Sequence, residues 1–474
     1  MLCPYRLEGK GKIVRIYEEI IEVINHRVAQ GLLGTGSKLP SIRALSDELS
    51  CSKNSVIKAY QEMENRHLIY SVPKSGYYVV EDYSFRQKDH IENKKIDFLS
   101  AGPDKHSMPY LDFKHCINQA IDLYKEEMFS YSEIQGLHSL RLELAKHLQD
   151  LQVFTVPERI FVVTGSQQAL HLFVSLPFPN GKNNICIEQP THTGFIESLK
   201  HQNAVVYGIE VTKTEIDLHN LEQIFKKNSI KFFYITSRFH NPTGYSYSNA
   251  EKKKIVELAQ QYDVYIVEDD YMGDLDFNLK QDPMFAYDTS GRVIYTKSFS
   301  KILLPGLRLG LTVIPDSMKE VFLQAKFAAD LHTPVLTQGA LEIYFKNGMF
   351  HGHIKKMREM YRNKGRLFQT AYRDHLPSSA SFSGSLSGFY STIELPYPLK
   401  AKHLIEYLIM ESVYVDDVGK MYMPECKKEN VIRLSVSQIE DDSISIGVQK
   451  IADSIRKLLK QRNKKHVYMN LCKI

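Results

Sequence analysis

Short β-branched runs alternate with helical stretches over most of this 474-residue chain, and this alternation limits its fold more than any other feature. After Ile96 the runs occupy residues 159–164, 184–188, 204–211, 231–236, 264–268, 293–296 and 309–314. Strands that alternate with helices form parallel sheets, because each helix carries the chain back across the sheet. We therefore predict an α/β fold with a mostly parallel sheet between two layers of helices.

The first eighty residues follow a different pattern. The predicted elements are helices over residues 13–30, 42–49 and 53–67 and hairpin strands over residues 69–72 and 77–80. Ser41 and Ser52 stand immediately before the second and third helices, where serine is a favoured N-cap. The order helix, helix, turn, helix, hairpin predicts a winged helix-turn-helix.

A polar and charged stretch separates these two regions. Residues 83–95 show almost no apolar pattern, which is typical of an exposed linker. We predict a winged-helix domain over residues 10–82, a linker over 83–95 and a large domain over 96–474.

The composition favours a soluble globular protein of the cytoplasm. Hydrophobic residues make up 43% and charged residues 24%, which argues against a disordered chain, a collagen or a coiled-coil rod. Six scattered cysteines without a CxxC pair fit a reducing cytosol and predict no metal site. No apolar run reaches the ~18–20 residues that span a membrane. The net charge of +5 permits a polyanionic partner without requiring one.

Hydrogen-bond donors begin the second helix of the predicted helix-turn-helix. Such a helix places its first residues against base edges, and here they are Lys53, Asn54 and Ser55. Lys58 lies one turn further on, within reach of phosphate. Arg43, in the preceding helix, is placed for a phosphate or a guanine.

The segment 36–80 resembles the GntR-type winged helix. It has an LPS-x-R start, a turn of serine and basic residues, a helix that ends in Ala-Tyr, and a wing that contains glycine. The resemblance implies that double-stranded DNA is a partner and adds Ser41 and the wing residue Lys74 to the contacts. Winged helices also serve as protein-interaction modules, and lysines solvate any surface. The order of the motifs, and not a basic field, favours DNA.

A lysine, an arginine, hydroxyl groups and a glycine turn form a second group of candidate residues. They are Lys301, Arg308, Ser298, Ser300 and the turn Gly165-Ser166-Gln167. Hydroxyls, an arginine and the backbone N–H groups of a helix start bind a phosphate monoester. A lysine beside that phosphate can condense with an aldehyde of the same ligand, and pyridoxal phosphate carries both groups. A lone lysine in a loop would instead be a solvated surface residue.

The ring of pyridoxal phosphate places further demands on the chain. Its nitrogen needs a carboxylate to keep its proton, and Asp269 follows the predicted strand over 264–267. Tyr271 and Asn241 would reach the ring hydroxyl and favour its ionised form. Each motif has another interpretation: Asn-Pro-Thr-Gly at 241–244 is a common turn, and Glu-Asp-Asp-Tyr could start a helix or bind a metal.

Eight features together resemble the fold-type I aminotransferases over residues 96 to about 460. They are Tyr131 with Gly136, residues 165–170, 188–190, 241–244, 269–271 and 298–301, Arg308 and Arg433. The resemblance implies pyridoxal phosphate bound to Lys301 and a smaller C-terminal α+β subdomain. It also implies that Arg433 holds the α-carboxylate of an amino acid. Tyr131 would reach the cofactor phosphate of a neighbouring subunit, which makes the protein a homodimer. Arg433 could instead form an ion pair on a strand, and Tyr131 could be a core residue.

Two positions depart from that pattern. The aromatic residue that usually covers the cofactor ring is His192, which could stack and titrate or be an ordinary hydrogen-bonded histidine. Gly194 brings no side chain where some relatives carry a second cation, which argues against a dicarboxylate ligand.

The two resemblances on one chain are those of the MocR subfamily of GntR regulators. In that family the large domain is a sensor, so an amino acid or amine would displace Lys301 from its aldimine and change dimer geometry and DNA binding. Two alternatives stay open. One is a catalytically active class-I aminotransferase with an accessory DNA-binding domain, and the other is a sensor of pyridoxal phosphate itself.

Overall fold

A computed structural model describes most of the chain, which divides into two compact units, Met1–Lys94 and Lys95–Ile474. The described residues are 5–8, 12–34, 36–65, 68–72, 75–80, 95–277, 281–385 and 388–471. Lys74 and all of the predicted linker except Lys95 lie outside them. The predicted domain limits therefore stay predictions. We refer below to the N-terminal unit and the large unit.

The N-terminal unit has the element order of a winged helix. Its elements are β1 (Tyr5–Glu8), β2 (Lys12–Arg15), α1 (Ile16–Ala29), α2 (Ile42–Glu48), α3 (Lys53–Asn65), β3 (Ile69–Val72) and β4 (Gly76–Val79). β3 and β4 form the predicted antiparallel hairpin. The first helix begins later than predicted, because residues 13–15 lie in β2 and their backbone pairs with β1.

The predicted caps and a buried tyrosine fix the helices of this unit. Ser41 Oγ accepts a hydrogen bond from the Ala44 N–H at 3.1 Å. Ser52 Oγ accepts one from the Ser55 N–H at the same distance. Each bond satisfies a backbone donor that a helix start leaves open. The Tyr60 side chain is fully buried, and its hydroxyl donates to a backbone carbonyl just before Ser41, at 2.7 Å.

A seven-stranded sheet forms the centre of the large unit. The short strand β5 (Ile96–Asp97) precedes this sheet and is not part of it. The strands of the sheet are β6 (Ile160–Val163), β7 (Asn184–Gln189), β8 (Val206–Glu210), β9 (Ile230–Ile235), β10 (Tyr265–Asp269), β11 (Val293–Ser298) and β12 (Gly310–Val313). The order across the sheet is β6-β12-β11-β10-β9-β7-β8. Neighbours are parallel except β12, which is antiparallel to both β11 and β6. The predicted mostly parallel sheet is confirmed.

Helices cover both faces of this sheet. In β6, Phe161 and Val163 belong to one hydrophobic core, and Ile160 and Val162 belong to another on the opposite face. The helices up to the end of the sheet region are α4 (Tyr110–Tyr124), α5 (His138–Asp150), α6 (Ser166–Ser175), α7 (Thr193–His201), α8 (Leu218–Lys227), α9 (Asn249–Gln261), α10 (Lys319–Asp330), α11 (Val335–Lys346) and α12 (Met349–His375). Because both faces are buried, the strands are apolar without strict alternation.

A smaller α+β region completes the large unit, as predicted. Its elements are β13 (Ser381–Gly384), β14 (Tyr390–Glu394), α13 (Ala401–Met410), β15 (Val413–Tyr414), β16 (Asp416–Asp417), β17 (Val431–Ser435) and α14 (Asp441–Leu471). The antiparallel order is β13-β14-β17-β16, and β15 pairs with β5. In the part of the chain that the structure describes, no helix has the length and apolarity to cross a bilayer.

A buried ion pair connects the ends of the central strands. Arg238 Nε donates to Asp270 Oδ1 at 3.0 Å, and the Tyr295 hydroxyl donates to Asp270 Oδ2 at 2.6 Å. Arg238 and Asp270 are both almost completely buried. A charge in such a place is tolerated because a partner replaces its hydration.

Replacing Arg238 by leucine should therefore destabilise the large unit strongly. The Asp270 charge would stay buried without its partner, which costs about 3–5 kcal/mol. Urea unfolding of the full chain measures the loss. The exposed pair between Arg159 and Asp316 supplies the control, because solvent screens it and Arg159→Leu should change stability far less. Equal losses in the two variants would contradict this assignment.

Candidate functional site

Most of the predicted cofactor and effector residues line one cavity of about 500 Å³ in the large unit. They are Ser166, Gln167, His192, Asn241, Asp269, Tyr271, Ser298, Ser300, Lys301, Arg308 and Arg433. The cavity lies where strands β9, β10 and β11 end. Asp269 is the last residue of β10, Ser298 is the last residue of β11, and Thr236, which also lines the cavity, directly follows β9. Carboxyl ends of parallel strands meet at one edge of a sheet, which brings together residues that are distant in sequence.

Lys301 points into this cavity and the nearby Lys297 does not. Lys301 Nζ donates to the Ala101 carbonyl at 2.6 Å and lies 6.0 Å from the centre of the Tyr390 ring. Lys297 is fully buried in β11 and forms an ion pair with Asp274, which lines a separate cavity of about 560 Å³. The geometry therefore favours Lys301 as the reactive amine.

One end of the cavity consists of Arg308, hydroxyl groups and the start of α6. Arg308 Nη1 donates to Ser300 Oγ at 3.4 Å. Gly165 precedes α6 with a φ of 75°, and a Cβ there would lie 2.7 Å from Arg308 Nη2. Gly165 does not line the cavity itself; its missing side chain leaves space for the Arg308 guanidinium. A helix start, an arginine and hydroxyls together fit a phosphate.

Asp269 is a buried carboxylate with an open oxygen. Asp269 was predicted to lie in the loop after the strand, but it is the last residue of β10, because its backbone still pairs with Thr296 of β11. The Tyr234 hydroxyl donates to Oδ2 at 2.9 Å, whereas Oδ1 has no partner among the described residues. Burial raises the pKa of Asp269 to about 7, against the hydrogen bond from Tyr234. A protonated ring nitrogen would satisfy the open oxygen.

Tyr271 and Asn241, which were predicted to reach the ring hydroxyl, both line the cavity. The Tyr271 hydroxyl donates to the Phe239 carbonyl at 2.6 Å. Asn241 Oδ1 is buried and has no hydrogen-bond partner in the described part of the chain. The open atom of Asn241 is a hydrogen-bond acceptor, whereas an ionised ring hydroxyl needs a donor such as the Asn241 amide nitrogen. Tyr271 would have to exchange one acceptor for another.

His192 occupies the position of the usual aromatic residue. Burial and, to a smaller extent, the positive charge of Lys301 lower the pKa of His192 to about 4. The imidazole is therefore neutral near pH 7, which favours stacking over titration there. A Cβ at Gly194 would lie 2.9 Å from His192 Cε1 and 2.5 Å from Gln167 Oε1. A second cation at position 194 would displace both side chains.

Arg433 forms the strand ion pair that was one of its two interpretations, and its role towards a carboxylate ligand stays a prediction. It lines the cavity, and its Nη2 also donates to Asp416 Oδ2 at 3.2 Å across the β16–β17 pair. Its guanidinium lies 5.4 Å from the centre of the Tyr390 ring. Tyr131 is not a core residue, since its side chain is 88% exposed.

The predicted DNA contacts differ in what their side chains do. Arg43, Lys53 and Asn54 are exposed, and Ser41 serves as the cap of α2. Ser55 Oγ lies 2.9 Å from the hydroxyl oxygen of the serine that caps α3. Lys58 Nζ lies over the Tyr17 ring of α1, 4.7 Å from its centre.

Sequence reasoning missed several residues of the cavity wall. They are Ala101, Thr193, Thr236, Tyr234 and Tyr390. Tyr234 lies within the fully buried strand β9, where a tyrosine looks like an ordinary core residue. Only the hydrogen bond from its hydroxyl to Asp269 connects it to the site. Ala101 contributes a backbone carbonyl, which no residue type can indicate.

Two family models match the chain. The model "Aminotransferase class I and II" matches residues 102–451, and the model "Bacterial regulatory proteins, gntR family" matches residues 16–79. The first match covers the sheet and the cavity, and the second covers α1 to β4.

Regulators with a helix-turn-helix and solved aminotransferases are both similar to this chain. The HTH-type transcriptional regulator YcxD of Bacillus subtilis is 43% identical over 87% of this chain and 94% of its own length. YjiR of Escherichia coli is 24% identical over 93% and 98%.

Two solved structures resemble the large unit. The kynurenine aminotransferase of Pyrococcus horikoshii, in complex with PMP, matches with a TM-score of 0.72 and 25% identity over 77% of this chain and 92% of that one. LysN, the α-aminoadipate aminotransferase of Thermus thermophilus, matches with a TM-score of 0.71 and 27% identity over 77% and 93%. The chain belongs to the class I and II aminotransferase family and, with its gntR-type winged helix, has the architecture of the MocR-type transcriptional regulators.

Proposed function

We propose that this protein is a pyridoxal phosphate-dependent transcription regulator that binds double-stranded DNA and senses an amino acid or amine at Lys301. The observation that carries the proposal is the single cavity that joins Lys301, an anion-binding end and the open Asp269 carboxylate, on a chain that also has a winged helix. The structures of PMP and phosphopyridoxyl-leucine bound to the solved relatives support the choice of cofactor.

The residues of the cavity fit the cofactor group by group. Arg308, Ser300 and the start of α6 would hold the phosphate, and Asp269 would hold the protonated ring nitrogen. His192 would lie against the ring. When bound, pyridoxal phosphate supplies an aldehyde that reacts with primary amines and a ring that withdraws electrons.

Lys301 and Arg433 would read the effector. A primary amine of the effector would compete with Lys301 Nζ for the aldehyde carbon of the cofactor. The Ala101 carbonyl is already placed to accept a hydrogen bond from the released Nζ. The Arg433 guanidinium would bind a carboxylate of the effector. Tyr390 lies near both cations and forms the wall between them.

A homodimer would connect this event to DNA. Phe129 and Tyr131 are 71% and 88% exposed, and large apolar side chains gathered on a surface favour a subunit interface there. Two N-terminal units would then contact two half-sites, with the start of α3 in the major groove. A regulator acts where its DNA lies, so the proposal includes the cytoplasm as its location.

A catalytically active aminotransferase is the second candidate function. The complete set of residues in the cavity and the two solved aminotransferases favour it. Steady conversion of an amino acid with a keto-acid acceptor, at about 1–1000 turnovers per second, would identify an enzyme. A spectral change on addition of an amino acid without sustained turnover would identify a sensor.

Lys301→Ala should abolish the imine absorption that the cofactor-loaded protein shows before any amino acid is added, because the amine that condenses with the aldehyde is removed. The measurement is an absorption titration of purified full-length protein. Lys254→Ala, at an exposed position of α9, is the control and should leave the spectrum unchanged. A wild-type spectrum in Lys301→Ala would show that another lysine reacts.

Gly165→Ala should lower cofactor affinity by about tenfold or more, because its Cβ would displace the Arg308 guanidinium from the phosphate. Gly291→Ala is a matched control: its φ of 69° carries the same backbone strain, but no atom lies within 4 Å of the new Cβ. Absorption titrations with pyridoxal phosphate measure both affinities. Equal effects would mean that strain, and not Arg308, is responsible.

Lys53→Ala should weaken binding to the DNA upstream of the protein's own gene by about tenfold, because a donor at a base edge is lost. Gln61→Ala, on the same helix but far from its first turn, should bind as the wild type does. Footprinting and mobility shifts measure the affinities. Absence of protection by the wild type, with and without cofactor, would exclude the regulator.

A further inference from the structure

Arg433 faces a carboxylate of its own chain. Asp416 in β16 lies directly opposite Arg433 in the antiparallel strand β17. The two side chains meet through one hydrogen bond, from Nη2 to Oδ2 at 3.2 Å. Because the backbone pairing fixes both residues, the Asp416 carboxylate lies beside the guanidinium before any effector arrives.

This ion pair uses only part of the Arg433 guanidinium. Arginine has five N–H donors and binds carboxylates best through two parallel hydrogen bonds. Here Nε is buried and has no partner among the described residues. The Asp416 side chain is 50% exposed and that of Arg433 only 14%. Asp416 therefore lies at the outer side of the pair, and donors of Arg433 remain open for a second carboxylate.

Tyr390 connects this pair to the reactive amine. Its ring lies 5.4 Å from the Arg433 guanidinium carbon and 6.0 Å from Lys301 Nζ. An effector whose amine reaches Lys301 along this wall would bring its carboxylate to Arg433, and hence close to Asp416. An amine without a carboxylate would approach Lys301 without using Arg433.

We propose that Asp416 determines which effectors the site prefers, by weakening the binding of those that carry a carboxylate. This inference rests on the proposed function and adds selectivity to it. An incoming carboxylate must share Arg433 with Asp416 or replace it, and two like charges beside one guanidinium repel each other. A simple amine avoids this cost. Because Asp416 is half exposed, solvent screens the repulsion and the effect is a few-fold change in affinity.

The test compares amino acids with their decarboxylated amines in the full-length, cofactor-loaded protein. The probe pairs are L-tyrosine with tyramine, L-histidine with histamine, and L-alanine with ethylamine, each titrated by absorption. In Asp416→Asn the Kd of the amino acids should fall about three- to fivefold, and the Kd of the amines should stay the same. Asp416→Ser, a second neutral variant, should behave alike.

Asp417→Asn is the matched control. It removes the same charge one residue away, opposite Ile432 instead of Arg433, and the new amide oxygen can still accept the hydrogen bond that Asp417 receives from Gly419 N–H. Its affinities should equal those of the wild type for both members of each pair.

The outcomes separate the two proposals. If the wild type responds but Asp416→Asn binds amino acids no better, or shifts both members of a pair equally, Asp416 has no role in selectivity. Weaker binding of amino acids in Asp416→Asn would mean that Asp416 orients Arg433 instead. If the wild-type spectrum responds to none of the probes, the proposed function is wrong and this inference falls with it.

Discussion

The buried carboxylate of Asp269 is the constraint on which the site of the large unit depends. A carboxylate taken out of water is unfavourable unless hydrogen bonds or a cation replace its hydration. Tyr234 satisfies one oxygen, and within the described chain the other has no partner. A cationic ligand at the end of β10 would replace the lost hydration of that oxygen. The same oxygen atom, Asp269 Oδ1, would therefore affect both the affinity for a protonated ring and the stability of the strand end.

The sequence was sufficient to predict the residues that short local motifs carry. Lys301, Asp269 and Arg308 were recognised from their neighbours in sequence, and they line one cavity because parallel strands end at one edge of a sheet. The element limits were less accurate. Asp269 and Ser298 lie in strands, although polar residues usually indicate a loop, since each still pairs with one neighbouring strand, Asp269 with β11 and Ser298 with β12. Ile13 likewise lies in a strand because β1 pairs with it.

Contacts between distant residues could not be predicted from the sequence. Asp416 lies in a two-residue strand, which is too short to show any periodicity. Only its position opposite Arg433 in the sheet indicates that it belongs to the site. The space that Gly194 leaves is shared by Gln167 and His192, which come from different helix starts. Such coincidences arise from tertiary packing, and packing has no local signal.

The hydrogen bond from Lys301 to Ala101 has a consequence for the backbone as well as for the amine. Ala101 follows Lys95 by only a few residues, and the start of the segment between them is held by the pairing of β5 with β15. Ser100 also accepts a hydrogen bond from Ser437 at 2.7 Å. When Nζ is bound elsewhere, the Ala101 carbonyl loses this donor while the Ser100 carbonyl keeps its own. The bonding state of one side-chain amine thus decides which donor a main-chain carbonyl of this segment has.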